Sequence, residues 1–144
     1  NEWRYVADVT TELDARLPPV VGIRDELAQV FLNLIVNAAH AIEAVTQHGR
    51  LGRGRITVTT RHVADQVVVA IADTGAGIPE PIRARVFEPF FTTKPVGQGT
   101  GLGLALVRAV VVDKHGGQIR FDVGPHGGTT FIVTLPIGRG DAAP

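Results

Sequence analysis

Apolar and polar positions change period several times along the chain, and each change marks an element. Residues Tyr5 to Val9 alternate as a strand, and Arg16-Leu17-Pro18-Pro19-Val20 reads as a turn into the next element. From about Arg24, the positions Leu27, Val30, Phe31, Leu34, Ile35, Ala38, Ala41 and Ile42 recur at three and four, the stripe of a helix lying on a core. Gln29, Asn33, Asn37 and His40 form a second stripe at the same spacing, so polar groups line one edge of the buried face. The period then falls to two. Arg55 to Arg61, answered by Val67 to Ala72 across Ala64-Asp65, predicts a hairpin, and Pro79 to Val86 a short helix. Next come about fifteen residues with Pro89, Pro95, several glycines and no period, and ordered loops of that length commonly serve as lids. From about Thr100, Leu102, Leu104, Ala105, Val107, Val110 and Val111 predict a largely buried helix closed by His115-Gly116-Gly117. Ile119 to Val123 and Thr129 to Leu135 predict a second hairpin, turning at Gly124 to Gly128. The expected fold class is α/β: a two-layer sandwich, with a mixed sheet of about five strands and about three helices on one face.

The 144 residues fit one domain, residues 1–144, with no repeat, linker or second unit, and a chain of this size hides roughly 70% of its unfolded surface. Fourteen basic residues balance fourteen acidic ones, so no net field draws the chain to nucleic acid or to an anionic membrane. Arg50, Arg53 and Arg55 sit among glycines with no aromatic interleaved and read as a solvated loop. The absence of cysteine excludes disulfides and thiolate-bound metal. No apolar run approaches the ~18 residues of a membrane span. No Met occurs, even at position 1, which reads as a piece excised from a longer chain.

The chemistry concentrates in Asp73-Thr74-Gly75-Ala76-Gly77-Ile78-Pro79 and in Gly97-Gln98-Gly99-Thr100-Gly101-Leu102-Gly103. Asp73 ends a strand, and its carboxylate, an acceptor-only group, suits an exocyclic amine such as that of adenine. Guanine presents a carbonyl oxygen there, and an unpaired buried acceptor costs roughly 1–3 kcal/mol, so ATP should beat GTP. Gly75 and Gly77 let a planar ring approach the backbone. The later glycine run lacks the preceding strand of a dinucleotide fingerprint and the Gly-Lys-Ser/Thr of a Walker loop. It reads instead as a lid ending at a helix N-terminus, where Gly99, Thr100, Gly101, Leu102, Gly103 and Leu104 offer N–H groups to phosphate. Asn37 suits Mg²⁺, which prefers hard oxygen donors and takes only one or two from protein.

Together with Asn33-Leu34-Ile35-Val36-Asn37-Ala38 and Phe87-Glu88-Pro89-Phe90-Phe91-Thr92-Thr93-Lys94, these segments stand in the order of the N, G1, F and G2 boxes. The chain, from about Leu13 to Pro136, resembles the GHKL ATP-binding (Bergerat) fold. The likeness is greatest to the catalytic domain of a sensor histidine kinase of the nitrogen-regulation type. The resemblance implies a flexible ATP lid, Asp73 on the adenine amine, Asn33 and Asn37 at a Mg-triphosphate, and His40 where relatives often carry a basic residue able to donate to a phosphate oxygen. It also implies Phe87, Phe90 and Phe91 as anchors of the lid's hinge. Relatives often place Arg right after the second aromatic; Thr92 stands there, and the γ-phosphate contact passes to Lys94. Gly127-Gly128-Thr129-Thr130-Phe131 resembles the last glycine box, with Thr129 and Thr130 near the adenine. Ile23 stands where relatives often have a capping Asp.

Asn33 separates functions. Hydrolytic relatives of the gyrase, Hsp90 and MutL types open this box with Glu, and an amide cannot take a proton from water. The resemblance therefore implies ATP and Mg²⁺ as cofactors, and transfer of the γ-phosphoryl group to a His on the protein's own dimerisation domain. A response regulator would lie downstream, in a homodimeric, cytoplasmic or membrane-anchored protein whose catalytic domain itself touches neither membrane nor nucleic acid. None of His40, His48, His62, His115 and His126 stands in a phosphoacceptor setting. A GHKL hydrolase, a Ser kinase of the anti-sigma type and a non-catalytic ATP-sensing module are the other readings.

Overall fold

The computed structural model describes residues 6–47, 50–92, 103–125 and 127–137. Strand β1 (Ala7–Glu12) leads to helix α1 (Arg24–Thr46), then to strands β2 (Gly54–Val63) and β3 (Gln66–Asp73). A 3-10 helix over Glu80–Arg85 comes next, then α2 (Gly103–Arg108), which widens into a π-helical segment (Ala109–Lys114). Strands β4 (Gln118–Val123) and β5 (Thr129–Pro136) close the fold. The sheet order is β1-β2-β3-β5-β4, parallel between β1 and β2 and antiparallel elsewhere, so the expected mixed five-stranded sheet is observed.

Burial follows the predicted periods. Val30, Leu34, Ala38 and Ile42 of α1 meet Ile56, Val69, Ile71, Phe131 and Val133 of the sheet, with Val107, Val110 and Val111 completing the core. By length and composition α1 is apolar enough to cross a membrane, which corrects the expectation that no run approaches that size. Its buried stripe against the sheet makes it the central helix of this core. β1 begins at Ala7 and runs past Val9 to Glu12, because Thr10, Thr11 and Glu12 continue in register with Thr57, Val58 and Thr59. Arg53 is no merely solvated residue: its Nε meets Asp8 Oδ1 at 3.1 Å and its Nη2 donates to the Ala7 carbonyl at 2.8 Å, bracing the edge strand.

α2 ends at a glycine pair, as its sequence suggests. Gly116, at φ 67, takes the left-handed turn, and the N–H groups of Gly116 and Gly117 close on the carbonyls of Val112 and Val111. Gly117 lies so close to the Thr134 carbonyl, 2.2 Å from where a Cβ would stand, that no side chain fits there.

Candidate nucleotide site

β3 carries Asp73 at its last position, in register with Thr129 at the start of β5. Asp73 is only 8% exposed, and its Oδ1 accepts the Gly75 N–H at 2.8 Å. Burial pushes its carboxyl above the usual 3.8, and the N–H groups of Gly75 and Thr129 pull the other way. Burial costs the charged form its hydration, so a ligand donor that reaches this oxygen gains a strong partner.

The loop after Asp73 is seated directly on α1. The Ala76 N–H donates to the Ala41 carbonyl at 3.2 Å, one turn beyond Asn37, and the Gly75 carbonyl accepts the Gly128 N–H at 2.8 Å. A Cβ on Gly75 would lie 2.6 Å from the Ala41 backbone, and one on Gly128 2.7 Å from the Asp73 carbonyl. Gly77 and Gly128 also hold φ of 78 and 81. The glycines expected to admit a base are thus demanded first by protein packing: they let β3, β5 and α1 converge at one point. Thr74 fixes the other flank, its Oγ1 accepting the Arg55 N–H at 2.9 Å.

On α1, Asn33, Asn37 and His40 are half-buried on the edge that the polar stripe predicts. Gln29 Nε2 donates to Asn33 Oδ1 at 2.8 Å, which orients that amide. Among the described residues the Asn37 amide has no such partner, leaving its oxygen for a ligand. No group of three or more His, Cys, Asp or Glu that could hold a metal occurs among the described residues. The single Asn37 amide oxygen is a hard donor of the kind Mg²⁺ takes from protein.

Two expectations change, for Thr130 and for Phe90. Thr129 is buried beside Asp73, whereas Thr130 pairs with Ala72 and faces the other side of the sheet, because successive strand residues alternate. The alternation of Phe131, Val133 and Leu135 already assigns position 129 to the inner face. Phe90 is no anchor: it is 74% exposed at φ 68. Phe87 does anchor the segment, its ring 6.1 Å from Phe121 and 6.4 Å from Phe131, while Phe91 lies under the Arg85 guanidinium at 4.5 Å. Ile78 packs on the core, and its carbonyl accepts Arg83 Nε at 2.8 Å. Gly103 and Leu104 open α2; among the described residues nothing beyond its own helix lies within 4 Å of a Cβ at Gly103, and Leu104 packs inward. Lys94, Gly99, Thr100, Gly101 and Leu102, with most of the proposed lid, lie outside the described residues.

The family model described as histidine kinase-, DNA gyrase B-, and HSP90-like ATPase matches residues 22–139. The signal transduction histidine-protein kinase AtoS of Escherichia coli (strain K12) is 41% identical over 131 residues, covering 90% of this chain and 20% of AtoS. The sensory histidine kinase/phosphatase NtrB of Azospirillum brasilense is 44% identical over 133 residues, covering 86% of this chain and 32% of NtrB. The chain therefore spans about a third or less of the length of these two curated relatives. A nucleotide-free structure of the catalytic domain of histidine kinase ThkA superposes with a TM-score of 0.74 at 35% identity, covering 90% of this chain and 78% of that one.

Proposed function

The chain belongs to the histidine kinase-, DNA gyrase B- and HSP90-like ATPase family, and on that premise we propose that residues 1–144 are the single catalytic ATP-binding domain of a two-component sensor histidine kinase. One observation carries the reading. The Ala76 N–H to Ala41 carbonyl hydrogen bond seats the loop that follows the buried Asp73 on α1, the helix that carries the half-buried Asn37, so the proposed base and phosphate contacts share one scaffold. Asp73 accepts from the adenine amine, with Thr129 beside it. Asn33, Asn37 and His40 face the triphosphate, and the N–H groups at the start of α2 supply donors to its oxygens. Asn37 would hold Mg²⁺, and that ion would supply charge neutralisation to the triphosphate.

Asn33 presents an amide where hydrolysis needs a carboxylate, so this site orients ATP without activating water. The acceptor is an imidazole on the protein's own dimerisation domain, a response regulator takes the phosphoryl group onward, and the whole protein works as a cytoplasmic or membrane-anchored homodimer. Lys94 and the glycine-rich lid belong to the same proposal.

The test uses the purified 144-residue chain with Mg-ATP. Binding without appreciable turnover or self-labelling is expected, followed by an acid-labile label when a histidine kinase dimerisation domain is supplied in trans. Rapid steady-state hydrolysis would move the assignment to an ATPase. An acid-stable label on a partner serine would move it to a Ser kinase, and binding with no transfer to any acceptor would leave an ATP-sensing module.

A further inference from the structure

α1 starts without a side-chain cap. Ile23 occupies the cap position and makes no capping hydrogen bond. In the usual arrangement the third helical residue, here Glu26, reaches back to the cap residue's own N–H. Here Glu26 Oε2 instead pairs with Lys114 Nζ at 2.8 Å, and the Ile23 N–H donates to His115 Nε2 at 3.0 Å. His115 Nδ1 lies 2.8 Å from the Val110 carbonyl, which can only accept. The two bonds together require the tautomer with the proton on Nδ1. The ring is also wedged in place: a Cβ on Gly22 would stand 2.7 Å from its Cδ2.

The start of α1 is thus fastened to the end of α2 by two consecutive residues far downstream, Lys114 and His115. The Lys114–Glu26 pair is half-exposed on the lysine side, and such pairs contribute little. The imidazole bridge is the directional element. Between the helices lie Val30, Leu34, Val107, Val110 and Val111, an aliphatic seam that packs well and carries no polar mark of register. At about 1.5 Å per α-helical residue, Asn37 lies ~21 Å along α1 from Ile23, and Gly103 lies somewhat under ~18 Å along α2 from His115, because the π-helical stretch Ala109–Lys114 rises less per residue. The site-facing positions of both helices therefore lie at similar distances from the same fastening.

We propose that His115 is a positioning residue for the phosphate end of the site. By bridging Ile23 and Val110 it sets the register of α1 against α2, and so the placement of Asn37 relative to the N–H groups at Gly103 and Leu104. The inference rests on the nucleotide-site reading above and assigns to it a residue that touches no ligand.

The test compares His115→Ala, His115→Asn and His115→Gln in the 144-residue chain. Asn keeps a short-armed donor for the Val110 carbonyl but cannot reach Ile23; Gln places an acceptor oxygen near the position of Nε2. Each variant is titrated with the Mg²⁺ complex of a non-hydrolysable ATP analogue and, separately, with adenosine. Ala and Asn are expected to weaken the Mg-triphosphate by about tenfold, with adenosine within about twofold of wild type and Gln restoring the triphosphate, since small misplacements of oriented groups cost such factors. The wild-type ¹⁵N spectrum should show the imidazole protonated on Nδ1. Wild-type triphosphate affinity in Asn, or equal losses for both ligands, overturns the positioning role while leaving the ATP site standing. The other tautomer overturns it independently of whether any variant folds. Failure of the wild type to bind either ligand overturns the site reading itself.

Discussion

Asp73 Oδ1 accepts the Gly75 N–H at 2.8 Å, so the loop after β3 is tied to the residue proposed to read the base. A carboxylate offers about four acceptor sites, which leaves capacity for a ligand amine. In Asp73→Asn the amide oxygen still holds Gly75, but its NH₂ meets the adenine amine donor to donor. The fold should persist, with a melting temperature unchanged or higher because a buried charge is removed. ATP affinity should fall about 30-fold or more, ~2 kcal/mol, by calorimetry. Unchanged affinity in the folded variant would falsify the adenine assignment.

Acidity provides a second reading of the same group. Burial raises the Asp73 carboxyl in the folded state above its usual 3.8. The folded state then binds the proton more tightly than the unfolded one. Asp73 therefore destabilises the fold by an amount that grows as pH rises from the ordinary value through the folded one, and stays constant above it. Ligand binding has the opposite slope, because the ionised form accepts from adenine. ATP affinity should begin to drop at a pH above that of an ordinary aspartate, and Asp73→Asn should abolish that inflection. An affinity flat down to the ordinary aspartate range would contradict it.

Asn37→Ala should weaken nucleotide binding by about tenfold in Mg²⁺ and by much less in EDTA, the loss of a single oxygen ligand being felt only with the cation present. Titrations in both buffers decide the matter. Equal losses would assign Asn37 to structure.

The glycines divide into two kinds, and substitution should separate them. Gly75→Ala and Gly128→Ala place a methyl 2.6 Å from the Ala41 backbone and 2.7 Å from the Asp73 carbonyl, with φ at Gly128 also positive. Each should cost about 2–4 kcal/mol of stability by denaturant unfolding. Gly103 opens α2, and among the described residues nothing beyond its own helix lies within 4 Å of a Cβ there, so Gly103→Ala should stabilise by at most about 0.5–1 kcal/mol. If phosphate approaches there, the same change should weaken ATP binding. Gain in both properties would remove Gly103 from the site.

Periodic patterns report the core well because burial on a helix or strand is repetitive: the α1 stripe and the alternation through Val67, Val69 and Ile71 leave one consistent packing. The nucleotide boxes are readable because their chemistry is local in sequence. What the sequence does not display depends on contacts between distant segments. Nothing near Gly75 says that Ala41 will press against it, and nothing near Ile23 says that His115 supplies its missing partner. Thr130 falls in a box that resemblance places near the adenine, yet the strand alternation turns it to the opposite face, and the period prevails over the resemblance. Phe90 groups with Phe87 by residue type, and only the backbone at φ 68 turns it outward.

The parallel pairing of β1 with β2 has a consequence for how the molecule is put together. Both hairpins, β2–β3 and β4–β5, close over short turns, whereas β1 can add to the sheet only after all of α1 has crossed back over it. Its closure over 47 residues is shorter than the 56 to 70 that separate the paired residues of β3 and β5, so loop-closure entropy places both pairings after the two hairpins. β1 is also an edge strand with most of its residues exposed, held largely by ladder bonds and the Arg53 brace. Detaching β1 would leave the strands that carry Asp73 and Thr129 paired inside the sheet, so opening at this edge and integrity of the site are separable.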